Sequence, residues 1–305
     1  MSDSNEQNWS YLKLYPGNQV DRADNFIVDL TQRMTANELL HKWFYLRYID
    51  ETGFHIRLRF LAQPGEQENA ARRVREQCTG MLNRLYEYLP STYRPMVTLP
   101  EFITQEATPP VDARLRIEDD KYLPEYEKYG RACAMPIAEG VFHLSSMLAG
   151  QVLADESAGL YSRKSIAPWL MREADRAFPT AVHPDYWRQY SLYWLGGDTP
   201  AANDWRGRFA RKGMELRDRN VSILPREADL PREALTVLER WRSGLKDAAR
   251  AYASLKDNAG ARSDVLSLNF SHLMLNRLGI ATLEESYLAA LLEIEQEAPA
   301  QEAVA

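Results

Sequence analysis

The spacing of apolar residues changes once along this chain, near Pro124, and that change limits the folds open to it. Before it, short segments rich in aromatic and branched residues alternate with turn signals, as strands do. After it, apolar residues recur three and four apart among Ala, Leu, Glu and Arg, as in amphipathic helices. Strands first and helices later indicate an α+β fold rather than alternating α/β: an N-terminal, mainly antiparallel sheet with flanking helices, followed by a predominantly helical C-terminal half. Strands are predicted over Trp9–Tyr15, Trp43–Ile49, Phe54–Leu61 and Ala113–Glu118, with helices near Ala23–Met34 and Glu68–Leu89. Asp50-Glu51-Thr52-Gly53, a short polar link ending in glycine, suits a hairpin between the second and third strands. Later helices are predicted near Pro136–Leu153, Ser165–Ala177, Asp204–Asp218, Pro231–Leu255, Asp264–Leu278 and Leu283–Gln296. The last of these is opened by a capping box over Thr282–Glu285 and preceded by Gly279 as a helix stop. Residues 1–297 are expected to form a single domain, and residues 298–305, which lack apolar periodicity, a disordered tail.

With 305 residues and 45% of them hydrophobic, the chain can bury a sizeable core. It contains no run of eighteen apolar residues, and its polar start lacks the features of a signal peptide, so a cytoplasmic protein that does not enter a membrane is expected. A formal net charge of -6 argues against an extended surface for nucleic acid. Cys78 and Cys133 stand in neither a pairing nor a zinc-ligand spacing and are expected to be buried thiols. There is no glycine-rich phosphate loop, no HExxH, no GxSxG and no internal repeat, so no metal or cofactor is expected and any chemistry must come from scattered side chains.

Three clusters contain such side chains. In Phe54–Phe60 strict alternation places His55, Arg57 and Arg59 on one face of a strand and Phe54, Ile56, Leu58 and Phe60 on the other. Two arginines spaced this way can hold a carboxylate through forked, charge-assisted hydrogen bonds, although a solvated basic face has the same pattern. In Tyr122–Gly130, Glu125 and Lys128 sit three apart on a helical turn, as either a site or an exposed ion pair worth about 0.2–0.5 kcal/mol. Shortly after, His143 on an amphipathic helix reads as a core histidine with a partner. In Ser271–Gly279, His272 and Asn276 are one turn apart on one helix face, followed by Arg277. His272, among leucines and a methionine, is either a partly desolvated proton acceptor or a tie between two helices.

In order and wording these clusters resemble the C-terminal glutamate-elimination domain of lantibiotic dehydratases, also found as a stand-alone protein of thiopeptide biosynthesis. The matching segments are WSYLKLY (Trp9–Tyr15), WFYLRYI (Trp43–Ile49) followed by FHIRLRF (Phe54–Phe60), YLPEYEKYG (Tyr122–Gly130), Ala138-Glu139 with Phe142 to Ser146, and SHLMLNRLG (Ser271–Gly279). The resemblance implies that Arg57, Arg59 and His272 are catalytic and that Glu125, Lys128, His55, Asn276 and Arg277 contact substrate. The position of Lys128 is usually arginine in the elimination enzymes; lysine keeps the charge and loses the planar fork, unless Arg131 substitutes for it.

The activity implied is elimination of glutamate from glutamylated Ser or Thr of a ribosomally synthesised precursor peptide, giving dehydroalanine or dehydrobutyrine. The implied partners are that peptide and a separate tRNA-dependent glutamyl transferase, with a homodimer as the assembly and no direct nucleic-acid contact. Two other readings stay open: a pyridine synthase that joins two dehydroalanines by a formal [4+2] cycloaddition with release of the leader, and a non-catalytic peptide-binding partner of the transferase that adds the peptide to a sheet edge.

Overall fold

A computed structural model describes residues 9–97, 114–179, 185–218 and 225–297. Strands β1 (Trp9–Tyr15), β2 (Leu40–Asp50), β3 (Gly53–Ala62) and β4 (Arg116–Asp119) form one antiparallel sheet in the order β2-β3-β1-β4. Helices α1 (Ala23–Thr35) and α2 (Gln67–Asn83) interrupt the strands. After β4 come the single turn α3 (Tyr126–Tyr129), α4 (Met135–Ser157), α5 (Arg163–Ala177), α6 (Tyr186–Trp194), α7 (Pro200–Asp218), α8 (Arg232–Leu255), α9 (Ser263–Leu278) and α10 (Thr282–Glu297). The fold is α+β, as the change in periodicity requires. Ala113, at the start of the expected fourth strand, and the expected tail 298–305 lie outside the described residues.

Three expectations need correction. The helix expected over Glu68–Leu89 stops at Asn83 and gives way to a 3-10 turn at Leu85–Glu87, since Tyr86 and Leu89 point into solvent and offer no apolar stripe to continue. Helix α6 was not anticipated: its aromatic residues favour strands, yet Tyr186, Trp187 and Tyr190 recur at helical spacing and are all buried. Cys78 is buried, which pushes its thiol up to about 12, whereas Cys133 is exposed in the bend before α4.

Alternation in β3 sorts the sheet into two faces. Ile56, Leu58 and Phe60 are fully buried and join Leu12 and Leu14 of β1, Phe26, Ile27 and Leu30 of α1, and Val74 and Met81 of α2 in one core. Each such side chain contributes about 1.5–3 kcal/mol by leaving water. The other face presents Arg57 between Lys13 and Leu46, and Arg59 between Tyr11 and Phe44.

The helical half docks on the outer edge of β2. His143 Nδ1 lies 2.8 Å from the Trp43 carbonyl, the Tyr45 N–H donates to Ser146 Oγ at 3.2 Å, and the Arg47 N–H donates to Asn276 Oδ1 at 3.0 Å. Asn276 Nδ2 in turn donates to the Arg47 carbonyl at 2.9 Å. Side chains of α4 and α9 thus replace the missing neighbour strand, so this edge cannot accept an added peptide strand. His143 is spent on that contact, as its setting suggested.

Helix α9 stops at Gly279, whose left-handed backbone (φ 74°) suits a residue without Cβ. The Arg277 carbonyl beside this stop accepts from Tyr45 Oη at 3.0 Å and Arg47 Nε at 3.1 Å, and the Leu278 carbonyl accepts from Arg163. Cations are favoured at a helix C-terminus. The two arginines also flank Asp24 of α1, at 2.6 Å (Arg47) and 2.7 Å (Arg163). Burial alone would raise the Asp24 carboxyl, but the two guanidiniums outweigh it and hold the group well below the usual carboxylate range.

Because the folded-state value lies below the unfolded one, the stabilisation from Asp24 is present above about pH 4 and is lost on further acidification. Asp24→Asn should cost about 3–5 kcal/mol near neutrality by leaving Arg47 without its carboxylate and Arg163 with Glu156 alone. The gap from wild type in urea unfolding should narrow as pH falls below about 4; a gap independent of pH would contradict this. At the contact between α1 and α4, a Cβ on Gly150 would lie 2.7 Å from Thr31 Cβ, so Gly150→Ala should cost about 1–3 kcal/mol in the same measurement.

Candidate functional site

The basic face of β3, the α3 turn and one face of α9 enclose a cleft of about 200 Å³. Of the residues singled out in the sequence, Arg57, Arg59, Glu125, Lys128, His272, Asn276 and Arg277 all line it. His55 does not: it is fully buried beneath Arg57.

On β3, Arg57 is held from three sides. Its Nε donates to His55 Nε2 at 3.2 Å, its guanidinium carbon sits 3.2 Å from the centre of the Tyr48 ring, and Nη2 is 3.8 Å from Asp50 Oδ2. For His55 to accept from Arg57, its proton must sit on Nδ1, which faces the Gly53 carbonyl at 3.1 Å. Burial lowers the pKa of His55 and favours this neutral form. Arg59 rests among Tyr11, Tyr122 and Phe44, with ring centres at 4.7, 5.0 and 5.6 Å, and its Nε has no hydrogen-bond partner among the described residues.

Arg277 is 0% exposed and its side chain has no carboxylate partner among the described residues. Nε donates to Ser146 Oγ at 2.9 Å and Nη1 to the Leu273 carbonyl at 2.8 Å, while Nη2 is unsatisfied. Burial, reinforced by nearby Arg59, pushes the group down to about 10, so it remains a cation at neutral pH. A buried guanidinium with a spare donor is costly without an anion and is a mark of a functional site. Asn276 is committed to β2 through both amide atoms, and so aligns α9 along the strand.

Glu125 and Lys128 pair at 2.7 Å at the mouth of the cleft, both about half exposed. Arg131, considered as a substitute for the missing arginine, does not line the cleft: its backbone N–H donates to the Ala259 carbonyl and its side chain packs around Gly260.

His272 Nδ1 lies 2.9 Å from Glu285 Oε1, and the ring stacks on Trp194 with centres 4.1 Å apart. Tyr190 Oη donates to the other oxygen of Glu285 at 2.9 Å. The expected capping box over Thr282–Glu285 shifts by one residue: the Ala281 N–H bonds Glu284 Oε2 at 3.1 Å, which frees Glu285 to face inward. Sequence reasoning missed this role for Glu285, yet a signal was present. Glu285 falls on the helical stripe of Leu288, Ala289 and Leu292, all buried, so a carboxylate at that place needs a partner. With Nδ1 facing the carboxylate, Nε2 is left as the proton-accepting atom. Among the described residues no group of three or more His, Cys, Asp or Glu could hold a metal ion.

The arrangement can therefore bind an anionic group on several guanidiniums and move a proton at an oriented imidazole. Comparisons with known proteins agree with the fold. The tRNA-dependent lantibiotic dehydratase MibB from Microbispora sp. 107891 superposes at a TM-score of 0.58 with 20% identity, over 96% of this chain and 28% of that one. The chain thus spans little more than a quarter of that dehydratase. TbtD, the pyridine synthase from thiomuracin biosynthesis, gives 0.62 with 18% identity over 94% of this chain and 98% of that one. TsrL gives 0.55 with 15% identity over 96% and 95%. At such identities these likenesses speak for the fold alone. No curated protein matches the chain by sequence. A family model described as the lantibiotic biosynthesis dehydratase C-terminal domain matches residues 9–294, and the chain belongs to that family.

Proposed function

We propose that this protein eliminates glutamate from glutamylated Ser or Thr residues of a ribosomally synthesised peptide, acting in the cytoplasm after a separate tRNA-dependent glutamyl transferase. The observation that carries this reading is the gathering of Arg57, Arg59, Arg277 and the His272–Glu285 pair around one cleft, although they come from distant parts of the chain. The lining includes five cationic side chains, Arg47, Arg57, Arg59, Lys128 and Arg277, against the single carboxylate of Glu125. Arg47 is matched by Asp24 and Arg57 approaches Asp50 at 3.8 Å, but Arg59 and Arg277 have no carboxylate among the described residues, and their charge suits a glutamyl group and the glutamate it becomes.

In the reaction, the Cα–H bond of the esterified residue breaks and its electron pair becomes the Cα=Cβ bond. The Cβ–O bond breaks with its electrons leaving on the carboxylate of glutamate. The leaving group is the conjugate base of an acid with a pKa of about 3.5, so departure is easy and carbon acidity is the obstacle. His272 Nε2 takes the proton, and Glu285 orients the ring and stabilises the imidazolium that forms. One of Arg57 and Arg59 meets the enolate oxygen and the other the side-chain carboxylate of glutamate, an electrostatic role that works best in a dry cleft. Arg277 adds a preformed donor at the base, Lys128 a cation for the departing carboxylate, and Glu125 a partner for the substrate ammonium group. His55 positions Arg57 and Asn276 positions α9.

A second reading, a pyridine synthase, is favoured by the end-to-end likeness to TbtD and by lysine rather than arginine at position 128. Purified protein offered a glutamylated peptide and, separately, a bis-dehydroalanine peptide should release free glutamate from the first and leave the second intact. Loss of the leader from the second, with no glutamate from the first, would overturn the proposal. Arg57→Ala and His272→Ala should leave the glutamylated peptide unprocessed. Glu285→Gln should lower kcat by on the order of 10²–10⁴ with KM little changed, as expected for a group that orients the base. A change confined to KM would mean that Glu285 does not act through His272.

A further inference from the structure

A cavity of about 690 Å³ adjoins the cleft, and Lys128 and Asn269 line both. It lies between α6 and the first turns of α9, with Tyr186, Tyr190, Leu192, Val265 and Leu268 forming apolar walls. Tyr186, Tyr190 and Leu192 are buried, whereas Val265 and Leu268 are half-buried and Tyr193, at the edge, is 56% exposed, so these last three form the open part of the wall. Charged groups stay at the rim, where Arg262 pairs with Asp264 and Asp198 faces Arg188 at 3.9 Å.

We infer that this cavity holds the stretch of substrate peptide next to the reacting residue, and that it selects apolar or aromatic side chains there. The inference rests on the elimination reading for what occupies the cleft. Continuity argues for a single occupant of both spaces. The cleft has room for a glutamyl group and the residue that carries it, so the rest of a peptide must leave through a neighbouring space. The 690 Å³ cavity lies within the range of about 300–1,000 Å³ typical of ligand sites. Tyr190 joins the two: it is buried behind the cavity wall, and its hydroxyl donates to the carboxylate that orients His272. An apolar side chain seated against Val265 and Leu268 loses its hydration there, whereas a charged one gives up water among apolar walls, and at the rim Arg262–Asp264 and Asp198–Arg188 already pair with each other.

The test uses the full chain and dye-labelled peptides with alanine at the reacting position, so that no chemistry occurs. Fluorescence anisotropy should show a Leu/Phe-flanked peptide binding at least about tenfold more tightly than an Asp-flanked or Ser/Gly-flanked one, the scale of one or two apolar groups in a fitted pocket. Val265→Trp, which narrows the cavity of about 690 Å³, and Leu268→Glu, which charges it, should each weaken the Leu/Phe peptide by a similar factor and leave the Ser/Gly peptide unmoved. Equal affinities across the wild-type series would overturn the inference, and so would tight Leu/Phe binding that neither variant disturbs. Glutamate release measured in parallel separates the two ideas. Release without flank preference sinks the cavity assignment alone, and flank preference without release sinks the elimination reading alone.

Discussion

The amide of Asn276, bonded to both the N–H and the carbonyl of Arg47, is the contact on which the rest of the site depends. It acts as one residue of an absent strand, with Ser146 and His143 serving as its neighbours along the β2 edge. An uncovered edge would invite a foreign strand; covered in this way, it becomes the seam between the strand-rich and helical parts. The seam fixes the register of α9 along β2. That register brings His272, one turn before Asn276, to the cleft faced by Arg57 and Arg59 of β3.

Electrostatics then divides the arginines by role. Arg47 and Arg163 are matched by Asp24 and by the carbonyls at the end of α9, and they hold the structure together. Arg59 and Arg277 have no carboxylate partner among the described residues, resting on aromatic rings or helix carbonyls, and Arg57 adds to its neutral histidine and ring contacts only a long approach to Asp50 at 3.8 Å. Neutral partners orient a guanidinium without neutralising it, so the charge remains available to an anion. Holding Arg59 and Arg277 together without a carboxylate costs stability that an anionic ligand returns, and a site built this way is fixed before its substrate arrives.

Much of this was legible in the chain. The alternation of Phe54–Phe60 determined which side chains of β3 face the core, and the spacing of His272 and Asn276 put both on one face of α9. Glu285 was not legible from local pattern because two adjacent glutamates near a helix start read equally well as capping residues. Only the packing of α10 against α6 decides that Glu284 caps and Glu285 turns inward. Similarly, His55 shares a face with Arg57, yet its neutral, hydrogen-bonded state follows from burial, which alternation does not report. Helix α6 was hidden by its aromatic composition, and with it went one wall of the larger cavity beside the cleft.

The central claim is that a glutamyl group sits between the β3 arginines and α9 with its carrier residue beneath His272. A crystal structure with a peptide whose reactive serine is replaced by diaminopropionate bearing glutamate through an amide, which cannot eliminate, tests it most directly. The account requires the glutamyl carboxylates to bond the guanidiniums of Arg57, Arg59 or Arg277, with the Cα hydrogen of the carrier residue facing His272 Nε2. Glutamate bound outside the cleft, or inside it with the carrier Cα turned away from His272, would contradict it.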